Sequence, residues 1–307
     1  MGQFLQFIRV LSDGRPGHEN QSVGLAEAMA RRSGARVEIV RLARGDLLWN
    51  RYRKAVAGDT RVDLLIAAGH KTHLTLSLAA HKLGAKSVVI MFPTWPLWFF
   101  DLCLAPRHDL RSGRLSDARV ISTFGALNRV PEIVPAKQRK GIVLIGGPSK
   151  AHGWSAEKLA KSIEAVCSAR SELAWTISDS RRTPADFLDQ LRQQRLAAEV
   201  ISHKQTQPDW LPTQLGTAEE AWVTEDSVSM IFEAVTAGAR TGILPVPVLK
   251  PSADPVCAIR ELVRQGHATD YEIWTRNGQQ LPTPNPLHET GRCADLVLTR
   301  LFGGKTV

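Results

Sequence analysis

The sequence predicts an α/β protein made of two Rossmann-like, doubly wound domains facing a cleft. Three observations carry that expectation. Short apolar, β-branched runs alternate with amphipathic segments, as in parallel strands joined by helices. The alternation breaks at mid-chain in a basic stretch with two prolines, and then starts again. Each half also opens with a strand, a glycine-containing loop and a helix: "VLSDGRPGHENQS" and "VLIGGPSKAHGWS". A single eightfold barrel would share the alternation, but the break favours two domains.

In chain order, "FLQFIRVLS", "RVEIVRL", "VDLLIAAG" and "KSVVIMF" read as strands. "ENQSVGLAEAMARRSG" and "KTHLTLSLAAHKLG" read as the helices between them, each closed by a glycine. "DLCLAP" and "ARVIST" add two strands, and "ALNRVPEIVPAKQRK" reads as a linker. The second half gives strands at "GIVLIGG", "LAWTIS", "AEVISH", "EAWVT" and "GILPVP". Its helices are "SAEKLAKSIEAVCSA", with Ser155 as N-cap, "SVSMIFEAVTAG", ended by Gly238, and "DPVCAIRELVRQG". The boundary expected is 1–135 and 136–307. A terminal helix in "LHETGRCADLVLTRLFGG" is expected to pack back on the first domain.

Bulk properties narrow the class. The 307 residues, 43% hydrophobic and 22% charged, suffice for a sizeable core. Lys and Arg exceed Asp and Glu by 39 to 30, a net charge of +9 that favours anionic partners. The charges are spread, with only short knots such as "PRHDLRSGR" and "SRRTP", which argues against a nucleic-acid arm. Four separated cysteines without a CxxC fit a reducing, cytoplasmic setting rather than a disulfide framework. The first residues do not form a signal peptide, and Gln6 stands where a myristoylated Gly2 would want Ser or Thr. "VVIMFPTWPLWFFDLCLA" carries Pro93, Pro96 and Asp101, poor material for a spanning helix. Its Trp95, Trp98, Phe99 and Phe100 are expected in a buried strand end and loop; an aromatic surface at a membrane interface is the alternative.

Three loops of the second half suit an anion. "GGPSK" offers Gly146 and Gly147 for close backbone approach, with Ser149 and Lys150 as donors. "SDSRRTP" offers Ser180, Arg181 and Arg182, and guanidinium suits phosphate oxygens. "TEDSVSM" opens a helix whose first turn can donate to a phosphate. Together they point to a nucleotide or phosphosugar site. Glu225 and Glu233 frame that last helix start, too far apart in rotation to share one face, so one of them lies outside the helix. Glu233, among Met230, Ile231, Ala234 and Ala237, is placed to accept hydrogen bonds from vicinal hydroxyls.

In the first half, "SDGRPGH" makes Asp13 or His18 the candidate general base, Asp13 being favoured because it ends the first strand. Asp13 could equally order only the glycine turn. "GHKTH" puts His70, Lys71 and His73 after another strand; with no third ligand nearby, His70 and Lys71 read as acceptor-side or diphosphate contacts rather than a zinc site. "GRPGH" lacks the GxGxxG fingerprint, so no nicotinamide cofactor is expected, and "GGKTV" has Thr299 where a phosphate loop needs Gly.

"LSDGRPGHENQSVGLAEAM", "GGPSKAHGWSAEKLA", "SDSRRTP" and "TEDSVSMIFEAVTAGARTGILPVP" together resemble the mitochondrial-fission-factor family of the elongated-mitochondria type, over most of the chain. Its bacterial members are regarded as glycosyltransferases. The block at 224–247 also resembles the donor-binding helix of GT-B glycosyltransferases, where a Glu-x7-Glu spacing recurs. The resemblance implies that Glu233 holds a ribose. It implies that Gly147, Ser149, Arg181 and the helix start at Ser227, Ser229 and Met230 hold the diphosphate and sugar. Thr224 and Glu225 flank them.

On this reading the protein is a cytoplasmic enzyme, peripheral on the inner membrane face. It moves sugar from a nucleotide-diphosphate sugar to an envelope or lipid-linked glycan. Enzymes of this architecture do without a DxD metal motif, absent here, so neither metal nor other cofactor is implied. Two rival readings are a nucleotide-sugar epimerase of the same architecture and a non-catalytic scaffold like the plant fission factors.

Overall fold

The protein is described by a computed structural model covering residues 4–303, apart from 44, 59–60, 108–109, 111–116, 134 and 208. Gly2 and residues 304–307 of the terminal "GGKTV" lie outside the described residues, as does part of the "PRHDLRSGR" knot. Contacts divide the chain into two units, Met1–Arg129 with His288–Val307, and Val130–Leu287.

The first unit runs β1 (Phe7–Ser12), α1 (Pro16–Ser33), β2 (Arg36–Arg41), α2 (Leu48–Val56), β3 (Leu64–Ala68), α3 (His73–Leu83), β4 (Lys86–Ile90), β5 (Leu102–Pro106) and β6 (Val120–Thr123). The strands form one parallel sheet in the order β2-β1-β3-β4-β5-β6. β3 and β5 are buried along their whole length, because a parallel sheet carries helices on both faces, whereas the edge strand β2 is half exposed. Alternate side chains feed two cores. Ile8, Val10, Leu64 and Ile66 meet Leu25 and Met29 of α1, while Leu11, Leu65 and Ala67 meet Ala55 of α2 and Leu76 of α3. α1 begins at Pro16, earlier than the periodicity suggests, since proline's fixed φ and missing N–H suit a first turn.

The second unit runs β7 (Gln138–Leu144), α4 (Ala156–Ala169), β8 (Ala174–Ser178), α5 (Phe187–Gln193), β9 (Ala198–Ile201), α6 (Trp210–Thr217), β10 (Ala218–Thr224), α7 (Val228–Thr236), β11 (Arg240–Leu244), α8 (Asp254–Arg264), β12 (Thr269–Asp270) and α9 (Tyr271–Arg276). Its parallel sheet has the order β12-β11-β10-β7-β8-β9, the Rossmann order read from the far edge. Trp175 and Trp222 lie against the backbones of Gly141 and Gly242 on neighbouring strands, where a Cβ would run into the indole rings. β7 begins at Gln138, inside the stretch read as linker, and Leu127 and Val130 of that stretch are buried. The linker is thus partly core, its basic residues forming the outer end of a central strand.

The last helix, α10 (Glu289–Phe302), belongs to the first unit and packs on α1. Val297 and Phe302 join the α1 core, and Arg32 donates to Asp295 at 2.6 Å. Thr290 Oγ1 accepts from Asn128 N at 3.0 Å, and Glu289 accepts from Phe124 N at 2.8 Å.

Candidate functional site

In an open parallel sheet a ligand crevice lies beyond the carboxyl ends of the strands, where connections leave the sheet on opposite sides. That point falls between β1 and β3 in the first unit, and between β7 and β10 in the second. The residues singled out from sequence gather at these two places.

At the first, Asp13 directly follows β1 and His18 lies in the first turn of α1. Asp13 is buried; its Oδ1 accepts from Arg15 N at 3.0 Å, and its Oδ2 lies 2.9 Å from His18 Nδ1. Gly69, directly after β3, has φ 94° and comes so close that a Cβ would enter the His18 ring. The glycine therefore lets the β3 end touch the Asp13–His18 pair. His70 and Lys71 follow it and are exposed, and Asp13 and Lys71 line one small concavity with Leu42, Arg51 and Thr72. His73, which opens α3, is buried, 5.4 Å from the His70 ring and 5.9 Å from Phe100. Neither of its ring nitrogens has a hydrogen-bond partner among the described residues. Burial, then the neighbouring His70 and His18, pushes its pKa down to about 4, so it sits neutral.

At the second, the residues 146–150 after β7 face residues 224–227 at the end of β10 and just beyond it. Thr224 Oγ1 accepts from Gly146 N at 2.7 Å, and Asp226 Oδ2 accepts from Gly147 N at 2.9 Å. Asp226 Oδ2 also accepts from Arg182 Nη2 at 2.6 Å and from Ser227 Oγ at 3.1 Å. Arg182 further donates to the Gly147 carbonyl at 2.9 Å. Both arginines of the pair are exposed, and it is Arg182 whose guanidinium bonds to this junction. Ser180 Oγ accepts from Arg182 N at 3.3 Å, and Thr183 ties the same loop to the Ile145 and Gly146 carbonyls.

Ser149 orders its own turn, its Oγ accepting from His152 N at 3.0 Å and Ala151 N at 3.2 Å, and Lys150 is exposed. Glu225 lies outside α7, its N–H bonded to the Leu244 carbonyl at 3.0 Å. Its pKa is raised by burial and then by Asp270. Ser227 stands at the N-terminal boundary of α7 without a side-chain capping bond, Ser229 is exposed, Met230 is half-buried, and Glu233 is buried in the second turn.

Asp226 and His152 escaped the sequence reading. Asp226 stood inside a quoted motif, but its pairing with Arg182, 44 residues away, has no local signal. His152 is buried, its pKa lowered chiefly by that burial.

The fold is shared along the whole chain with structures of low sequence likeness. The UDP-GlcNAc 2-epimerase of Methanocaldococcus jannaschii is 12% identical, with a TM-score of 0.56 over 96% of this chain and 99% of that one. The UDP-GlcNAc 2-epimerase of Neisseria meningitidis, solved bound to UDP-GlcNAc, is 13% identical, with a TM-score of 0.54 over 97% and 100%. MurG of Acinetobacter baumannii is 12% identical, with a TM-score of 0.51 over 96% and 99%. These define the class: an α/β protein of two Rossmann-like units. No curated protein matches the sequence. More narrowly, the chain belongs to the family described as Mitochondrial fission ELM1, which it matches over residues 16–301.

Proposed function

We propose that the protein is a nucleotide-sugar-dependent glycosyltransferase whose second unit binds the donor and whose first unit receives the acceptor. The observation that carries this reading is positional. Residues scattered through each half converge at the topological switch point of each sheet, anion-suited in the second unit and acid–base in the first. Solved structures of the same fold include enzymes named for UDP-GlcNAc, some of them with that ligand bound.

In the transfer, an acceptor hydroxyl oxygen bonds to the anomeric carbon, the carbon–oxygen bond to the diphosphate breaks, and the diphosphate leaves as an anion. The acceptor proton goes to His18. Asp13, which chain position favours as base, has its two oxygens engaged by Arg15 N and His18 Nδ1 and is more buried than His18. A carboxylate on Nδ1 fixes the tautomer that leaves Nε2 basic. Backbone N–H groups at the start of α7 and nearby cationic side chains meet the leaving charge, with no metal or other cofactor in the scheme. Glu233, buried beside this helix start, takes the ribose hydroxyls.

The acceptor is a lipid-linked or envelope glycan, met by a protein peripheral on an anionic cytoplasmic membrane face. Trp95, Trp98 and Phe99 are exposed, contrary to the expectation of a buried loop, and only Phe100 turns inward. Leu47, Leu48 and Trp49 at the start of α2 are exposed as well, next to Arg53 and Lys54. α2 packs along α3, and Phe100 meets His73 at the start of α3, so both apolar groups flank that helix. Among the described residues no helix is long and apolar enough to cross a membrane. Flotation with anionic vesicles should fall with Trp98→Ser/Phe99→Ser; unchanged binding removes the membrane from the scheme.

The donor test is a thermal shift against UDP-, GDP-, ADP-, CMP- and dTDP-sugars, with Glu233→Ala alongside. A ligand at ~100 times its Kd adds roughly 2.7 kcal/mol. A selective shift lost in Glu233→Ala is expected. The fold shared with 2-epimerases sustains one rival: sugar isomerised without any acceptor would replace transfer by epimerisation.

A further inference from the structure

The Gly146–Gly147 turn, Arg182 and Ser227 form the set of donors that a phosphate would use at this end of the sheet. Every one of them is spent inside the chain. The Gly147 N–H, one Arg182 Nη and the Ser227 hydroxyl all converge on Asp226 Oδ2, at 2.9, 2.6 and 3.1 Å. The Asp226 side chain is fully buried, although Arg182 is 44% exposed. A Cβ on Gly146 would run into Asp226 Oδ2 and Ser227 Oγ, and one on Gly147 into the Arg182 carbonyl. The two glycines thus make room for a carboxylate and an arginine backbone of the same chain. The other carboxylate oxygen, Oδ1, is buried and has no hydrogen-bond partner among the described residues. The carboxylate is therefore gripped on one side only, as an anion seated in a pocket would be.

We infer that Asp226 is a built-in anion that fills the phosphate position after β7, and so decides what this loop accepts. A diphosphate is not received by Gly147 and Arg182. A negative group placed on the same donors would meet Asp226 at close range, where like charges repel strongly. The donor's diphosphate must then rest on the remaining groups, the α7 start at Ser229 and Met230 and the exposed Lys150 and Arg181. Asp226 thereby becomes a specificity-determining residue, and the arginine that looks best suited to phosphate is a structural partner. The inference rests on reading this end of the second sheet as the donor site, but its test does not require a nucleotide sugar.

The test is calorimetric titration of inorganic pyrophosphate into the full chain and three variants. Asp226→Asn keeps the shape and an acceptor for Gly147 N while removing the charge, so it should bind pyrophosphate at least about tenfold more tightly than the native chain. Adding Arg182→Gln to it should abolish that gain. Arg182→Gln alone should change pyrophosphate affinity less than about twofold, because the arginine is already engaged. No gain in a folded Asp226→Asn chain overturns the inference. So does a loss of about tenfold or more in Arg182→Gln alone, which decides the matter even if Asp226→Asn does not fold. A nucleotide-sugar shift that depends on Glu233, with Asp226→Asn inert to pyrophosphate, would sink this inference and keep the donor site. The pyrophosphate gain without any nucleotide-sugar binding would do the reverse.

Discussion

The two switch points are built alike and finished differently. Each joins a glycine-containing turn after the first strand of its sheet to the loop after a neighbouring strand. In the second unit the junction is closed by charge: buried Asp226 gathers a backbone N–H, a guanidinium and a hydroxyl. In the first a carboxylate on the turn after the first strand, Asp13, holds an imidazole instead, and near that imidazole lies a second, His73, without a hydrogen-bond partner among the described residues. The same backbone device can therefore end in a fixed ionic knot or in a carboxylate–imidazole hydrogen bond. The difference lies in the side chain that meets the carboxylate, not in the fold.

The largest effect expected from breaking the comparison is at its glycines. Gly147 has backbone, the Arg182 carbonyl carbon and oxygen, where a Cβ would go, and backbone in a packed loop moves little. Gly147→Ala should cost about 3 kcal/mol, the upper range for overpacking. Gly69 faces a side chain, His18, which can swing aside, but its φ of 94° strains any L residue. Gly69→Ala should cost about 1–3 kcal/mol and, unlike Gly147→Ala, displace the His18 imidazole. Urea unfolding gives both costs, and a His18 proton resonance distinguishes them. Equal shifts of that resonance in the two variants would break the contrast.

The next effect is on acid stability; buried His152 in the second unit is shifted in the same direction, but the larger shift, that of His73, lies in the first. His73 is buried and neutral with a pKa near about 4, against an ordinary value of 6.5 in the unfolded chain. Between those values the unfolded state binds the extra proton. The stability His73 allows is therefore present above about pH 6.5 and lost as pH falls toward 4, by ~2–3 kcal/mol at the lower end. Facing it are His70, His18 through the α1 start, and the Phe100 ring, none of which supplies a counter-charge. His73→Leu removes the titrating group and sacrifices no hydrogen bond, so it should be near neutral at pH 7 and clearly stabilising at pH 4.5. Denaturant midpoints at the two pH values check this; parallel acid sensitivity in both chains would remove His73 as the cause.

Much of this was legible in the sequence, for reasons that differ by residue. Strands such as Leu64–Ala68 and Leu102–Pro106 are unbroken apolar runs because both faces are covered, so periodicity and composition find them. α2, α5, α6 and α9 are not read from the sequence, and α2 and α6 show why. The first opens on Leu48 and Trp49, exposed apolar residues that blur its buried face, and the second carries Pro212 in its first turn. At the candidate site, chain position was enough to bring Asp13 near His18 and to place Glu225 outside the helix that holds Glu233. Contacts across the sheet were not readable. That Gly69 abuts His18, that Arg182 is the arginine whose guanidinium bonds to the junction, and that the Gly147 N–H is taken by Asp226 all depend on which strands are neighbours.

The smallest stability effect carries the sharpest functional contrast. Asp13→Asn keeps a carbonyl oxygen for Arg15 N but can present an amide N–H to His18 Nδ1, which then favours the tautomer with its proton on Nε2. A single partly exposed carboxylate–imidazole hydrogen bond is worth about 1 kcal/mol or less, so the midpoint of unfolding should move little. If His18 Nε2 is the base, the transfer rate should nonetheless fall by ~100-fold or more while donor affinity is kept, because the wrong nitrogen carries the proton. Asp226→Asn should show the opposite pattern, altering anion binding and leaving the pH profile of turnover unmoved. If Asp13→Asn changes donor affinity and rate together, the two switch points do not divide acid–base work from anion binding. The first would then be a structural turn with histidines around it.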